Sequence, residues 1–183
     1  EFFDDSEFLK NAESGIDRSF SAKHEFGSEW QRFLHPSTNA IEQKLTIQIN
    51  RAHYPYLFTR KALNLQSLRI VMILENLKDL EGFELPASVT LGGVTRTGTI
   101  SSTELDKHPK IEIQCNETLL IGQTEDVLIE LVIQKNDIEN LNVALTANDN
   151  GVVQLSPEAI TDCLLITNYK LGWLGVLERL PDM

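Results

Sequence analysis

Two cysteines, two methionines and two tryptophans are few for 183 residues, and aromatic side chains make up only 7% of the chain. Cys115 and Cys163 each sit in an apolar, strand-like run, where a free cysteine acts as a small core residue. Two cysteines build no disulfide framework. Long apolar runs are missing too. Even Leu128-Ile129-Glu130-Leu131-Val132-Ile133-Gln134 is interrupted, so neither a signal peptide nor a membrane-spanning helix is expected. Cations are scarce: 16 Lys and Arg against 27 Asp and Glu leave a net charge of -11. Such a surface repels phosphate backbones and argues against nucleic acid as a partner.

The motifs of common chemistries are also absent. None of the four histidines, His24, His35, His53 and His108, has a second ligand at zinc spacing. There is no nucleophile elbow, phosphate-binding loop or dinucleotide fingerprint. Asp4, Asp5 and Glu7, and likewise Glu125-Asp126, read as solvated charge and not as paired catalytic acids. The oxygen-rich Asn148-Asp149-Asn150-Gly151 lacks the spaced acids of a calcium loop and reads as a turn. Asn116-Glu117-Thr118 matches a glycosylation sequon, a pattern common by chance. The expectation is a protein that is not an enzyme and holds no cofactor or metal.

What is present is a change of period. Residues 1–37 predict an arm of short helices packed on the body. Phe2, Phe3, Phe8 and Leu9 form its first apolar group. Ser28-Glu29-Trp30-Gln31 fits a capping box, with Trp30, Phe33 and Leu34 on one face and Pro36 as the stop. Residues 38–183 alternate with period two. The predicted inner faces are Leu45, Ile47 and Ile49; Leu68, Ile70, Met72 and Leu74; and Ile111, Ile113 and Cys115. Further faces are Val127, Ile129, Leu131 and Ile133; Leu141, Val143 and Leu145; and Cys163, Leu165, Thr167 and Tyr169. Gly92-Gly93 predicts a tight hairpin. Ser156-Pro157-Glu158-Ala159 predicts one helical turn before the last strand. Asp162, just before that strand, is placed to accept bonds from backbone amides. Short strands without a βαβ rhythm predict a mainly β protein: an antiparallel β-sandwich with an N-terminal helical arm.

One local cluster has binding character. In His53-Tyr54-Pro55-Tyr56-Leu57-Phe58-Thr59-Arg60, Pro55 stiffens a run that carries Tyr54, Tyr56, Phe58 and the cation Arg60. Such a group can serve as a platform for a glycan or receptor. Aromatics that fill the end of the sandwich are the simpler account.

Several segments together resemble a known family. They are Trp30-Gln31-Arg32-Phe33-Leu34-His35-Pro36, Leu45-Thr46-Ile47-Gln48-Ile49, the His53–Lys61 segment, and Leu63-Asn64-Leu65-Gln66-Ser67-Leu68. Leu155-Ser156-Pro157-Glu158-Ala159-Ile160-Thr161-Asp162-Cys163-Leu164-Leu165-Ile166, closing with Tyr169, completes the order. It resembles the C-terminal β-rich region of the A subunit of bacterial Tc toxin complexes and of A-subunit-related proteins, over roughly Glu29 to Leu171. A chain that does not begin with Met reads as a piece of something larger, and the resemblance implies that the larger protein is a secreted or released bacterial virulence component. It further implies a structural, protein-interaction role. The partners would be other toxin-complex subunits or neighbouring domains of the same chain. A carbohydrate- or receptor-binding module is the alternative.

Overall fold

A computed structural model describes residues 15–54, 61–75, 83–103, 108–116, 118–122 and 126–173, with only the backbone at 61–62 and 172–173. The strands are β1 (Ile16–Ser21), β2 (Glu42–Ile49), β3 (Lys61–Leu74), β4 (Glu84–Leu91), β5 (Val94–Ser101) and β6 (Lys110–Gln114). They continue with β7 (Leu120–Ile121), β8 (Val127–Gln134), β9 (Thr146–Asp149), β10 (Val152–Leu155) and β11 (Ile160–Trp173). Among the described residues, three short α-helices complete the set: α1 (Ala22–Glu25), α2 (Gly27–Leu34) and α3 (Lys135–Glu139).

Every pairing is antiparallel, and one nine-stranded sheet runs β1-β11-β3-β6-β5-β4-β8-β2, with β7 on β3. The sheet curls into a sandwich. At its middle, β5 and β6 pair through Ser101 and Lys110, which joins the β1-β11-β3-β6 half to the β5-β4-β8-β2 half. The outermost strands, β1 and β2, are joined through α1 and α2. Helix α1 packs on β11 and α2 on β2, so the helices close the side where the two ends of the sheet meet the chain between β1 and β2. Trp30 and Phe33, with ring centroids 5.6 Å apart, and Leu34 fill that side from α2.

The predicted alternation holds in β2, β6 and β8, whose inward rows Leu45/Ile47/Ile49, Ile111/Ile113 and Val127/Ile129/Leu131/Ile133 are buried. In β3 the inward row is Leu63 and Leu65, then Leu68, Ile70, Met72 and Leu74. The phase changes because Gln66 is an extra residue: Ser67 faces Asn168 while Leu65 faces Tyr169. A bulge of this kind moves every later side chain to the other face. A second one, at Thr161, sets the row Cys163, Leu165, Thr167 and Tyr169.

The two glycine-type turns form as read. Leu91 pairs with Val94 across Gly92 (φ 58°) and Gly93 (φ 84°), and Asp149 with Val152 across Asn150 (φ 53°) and Gly151 (φ 83°). Positive φ at both central residues matches the right-handed twist of the flanking strands. Before β11, Ile160 N donates to Ser156 O at 3.0 Å and Ala159 N to Ser156 Oγ at 3.3 Å, which closes the single helical turn.

Three readings are corrected. Leu141, Val143 and Leu145 are not a strand: Asn142 Oδ1 accepts from Ala144 N at 3.0 Å and locks residues 143–145 into a 3₁₀ turn. Leu145 is buried there, while Val143 is 83% exposed. Ser28 and Gln31 form no capping box, because α2 starts at Gly27 directly from the end of α1. Phe26 N bonds to Ala22 O and Phe26 O accepts from Trp30 N, so one residue ends α1 and opens α2. The side-chain cap lies earlier, where Ser21 Oγ accepts from His24 N at 3.1 Å. Ile16–Ser21, read within a helical arm, is a strand that pairs with β11 from Ile16↔Tyr169 to Ser21↔Leu164. Of the arm's apolar group, Phe2, Phe3, Phe8 and Leu9 lie outside the described residues.

The one amide side chain in the inward row of β2 is Gln43, 2% exposed. Its Nε2 donates to Phe33 O and its Oε1 accepts from Leu155 N, both at 2.8 Å. It thereby ties the end of α2 and the β9–β10 hairpin to the sheet. Gln43→Leu keeps the bulk but strands a buried N–H and a buried C=O. A loss of about 1–3 kcal/mol in urea denaturation is expected; an unchanged midpoint would show that the bridge contributes nothing.

Candidate functional site

The segment singled out in the sequence begins where β2 ends. Asn50 Oδ1 accepts from Ala52 N at 3.0 Å, and His53 Nδ1 accepts from Asn50 N at 3.0 Å, which fixes a 3₁₀ turn over Arg51–His53. Tyr54 follows and points inward, 5% exposed. Its ring stands edge-on to Tyr169 (centroids 4.9 Å apart) and to Phe20 (5.7 Å). His53 lies between Phe20 at 6.0 Å and Phe26 at 5.2 Å. Tyr54 thus fills the end of the sandwich, and its ring contributes buried area and edge-to-face contacts. Tyr56, Phe58 and Arg60 lie outside the described residues.

A chain of hydroxyls runs inward from Tyr54. Thr167 Oγ1 donates to Arg18 O at 3.1 Å, which uses its single proton. Tyr54 Oη, 3.2 Å from Thr167 Oγ1, is therefore the donor in that pair. Burial pushes the Tyr54 phenol up to about 12. Burial also raises the Tyr169 phenol. Both stay neutral, so neither is a ready base.

Two arginines border the tyrosines. Arg18 stacks its guanidinium 4.3 Å above the Phe20 ring, pairs with Glu25 at 2.7 Å and donates to His53 O at 3.4 Å. A further bond goes to Ser19 O. Glu25 Oε2 also accepts from Ser21 N at 2.8 Å. Together these side chains cover polar backbone groups of the edge strand β1, a known safeguard against unwanted strand pairing. Arg51 is the second arginine. Its three guanidinium nitrogens are shielded from solvent and, among the described residues, have no hydrogen-bond partner. Sequence reasoning passed over both residues, since nothing in their local pattern sets them apart from surface cations. Only the pairing of β1 with β11 and the return of the chain after β2 bring them to Tyr54 and Tyr169.

Asp162 behaves as expected of an acceptor for backbone amides. Its carboxylate takes Lys23 N at 3.0 Å and Cys163 N at 2.7 Å, and also Ser21 Oγ at 2.5 Å. His108 Nδ1 accepts from Leu74 N at 3.3 Å, and His24 and His35 are exposed. Cys163 is buried, and burial pushes its thiol up. Among the described residues, no group of three or more His, Cys, Asp or Glu side chains could hold a metal ion. No helix there is long and apolar enough to cross a membrane.

No protein-family model matches the chain, and no curated protein matches it in sequence.

Proposed function

We propose that this chain is a non-catalytic structural and protein-interaction module, the C-terminal β-sandwich of a Tc-toxin A-subunit-like protein, which supports assembly or docks a partner subunit. The observation that carries this reading is how its polar side chains are spent. Asp162, His53, His108, Gln43 and Thr167 each direct their oxygen or nitrogen at backbone groups of the fold. Such groups hold elements in place. A catalytic base would instead be held ready for a proton on a substrate. The order of segments that resembles the A subunits supplies the family context. On this reading the full-length protein is a secreted or released bacterial toxin component, and its other subunits or neighbouring domains are the partners.

The test is co-purification. The tagged chain is expected to retain a B-like subunit expressed beside it. If the full-length protein retains that subunit and this chain never does, docking by the module is wrong. Saturable binding to a sugar on a glycan array, lost in Tyr56→Ala, would move the assignment to carbohydrate recognition.

A further inference from the structure

Arg51 is out of keeping with the rest of the fold. A guanidinium offers five N–H donors and is always charged. Burying it without a partner is costly, and native proteins satisfy nearly all such groups. Here Gln43, Asp162 and Thr167 are satisfied, while all three nitrogens of Arg51 are shielded and unbonded among the described residues. Two other arginines have a shielded nitrogen without a hydrogen bond. However, Arg69 lies 3.6 Å from the Glu112 carboxylate, and Arg96 is engaged elsewhere.

Among the described residues, the carboxylates on β1, α1 and β11 are already taken. Glu25 holds Arg18 and Ser21, Asp17 accepts from Asn168 at 2.8 Å, and Asp162 has its three donors. The phenols of Tyr54 and Tyr169, which interact electrostatically with Arg51, are held neutral and give it no counter-charge. The residue itself is only partly buried, so the layer over the guanidinium is not the deep core.

We propose that Arg51 is the receptor for an oxyanion, a carboxylate or phosphate group carried by a ligand, at the end of the sandwich built by His53, Tyr54 and Tyr169. The planar fork of Arg51 matches two oxygens of such a group. In an acidic chain of net charge -11, this is a local reversal of sign that selects anions. The inference stands whether or not the module docks a partner subunit.

The experiment is thermal melting of the whole chain at constant ionic strength, with chloride replaced by inorganic phosphate in one arm and by acetate in the other. A ligand that binds the folded state raises the melting temperature saturably. A rise in the phosphate arm alone assigns a phosphorylated ligand, and a rise with acetate assigns a carboxylate. Arg51→Met, which keeps the stem and drops the charge, is expected to melt higher than the parent without anion and to lose the anion-dependent rise. Arg51→Lys keeps the charge without the fork and should weaken binding about tenfold. No saturable rise in either arm, or a rise retained in Arg51→Met, overturns the proposal. An Arg51→Met chain that melts lower or fails to fold overturns it as well, since Arg51 would then be holding structure.

Discussion

Trp30→Ala is expected to destabilise the fold by about 3–5 kcal/mol, the range for emptying a large aromatic site in a core. Trp30 is 2% exposed and packs with Phe33 on the side of the sandwich that the helices close. Its removal leaves a cavity where α2 bridges the strands at the two ends of the sheet. The neighbouring groups are tied down: Gln43 holds Phe33 O, and Phe26 both ends α1 and opens α2. The site therefore collapses poorly, which places the cost in the upper part of the range for core truncations. Urea unfolding followed by far-ultraviolet circular dichroism measures it. A midpoint equal to the parent's would show that α2 is not docked on the sandwich.

Leu131→Ala is the second, at about 2–5 kcal/mol. Leu131 lies at the centre of β8, opposite Leu45 on one side and Val89 on the other, and all three are buried. It is flanked by paired strands, so the backbone has little freedom to close the gap. An outward position of β8 gives the control. Leu128 is 41% exposed on the same strand, and a change there should stay within about 0.5 kcal/mol. Equal losses at the two positions would mean that the orientation of β8 is wrong.

Particular elements show how much was legible beforehand. Alternation of Val127 to Ile133 and Leu45 to Ile49 was sufficient, because a half-buried strand must put every second residue on the core side. Gly92-Gly93 and Asn150-Gly151 were legible because two-residue hairpin turns need positive φ at both central residues. Leu141, Val143 and Leu145 alternate equally well, yet one side-chain bond from Asn142 turns them into a 3₁₀ turn. Three residues are too few for period to outweigh a local cap. The strand Ile16–Ser21 was not legible, since Asp17, Arg18, Ser19 and Ser21 give it only one fully buried residue, Phe20. It exists because β11 offers it an edge.

The candidate site divides in the same way. The run from His53 to Arg60 was visible as an aromatic and basic cluster. That Tyr54 turns into the core, and that Arg18 and Arg51 lie beside it, depends on contacts between residues such as Tyr54 and Thr167, which are 113 positions apart. By itself, the sequence determined the class of fold, the inward rows and the turns, because these follow from local period and backbone preference. Only the tertiary structure decided where the phase of β3 and β11 shifts, how the sandwich is closed by α1 and α2, and which shielded guanidinium is left without a partner among the described residues. Those outcomes are set by which distant strand happens to pair, and no short window of sequence carries that information.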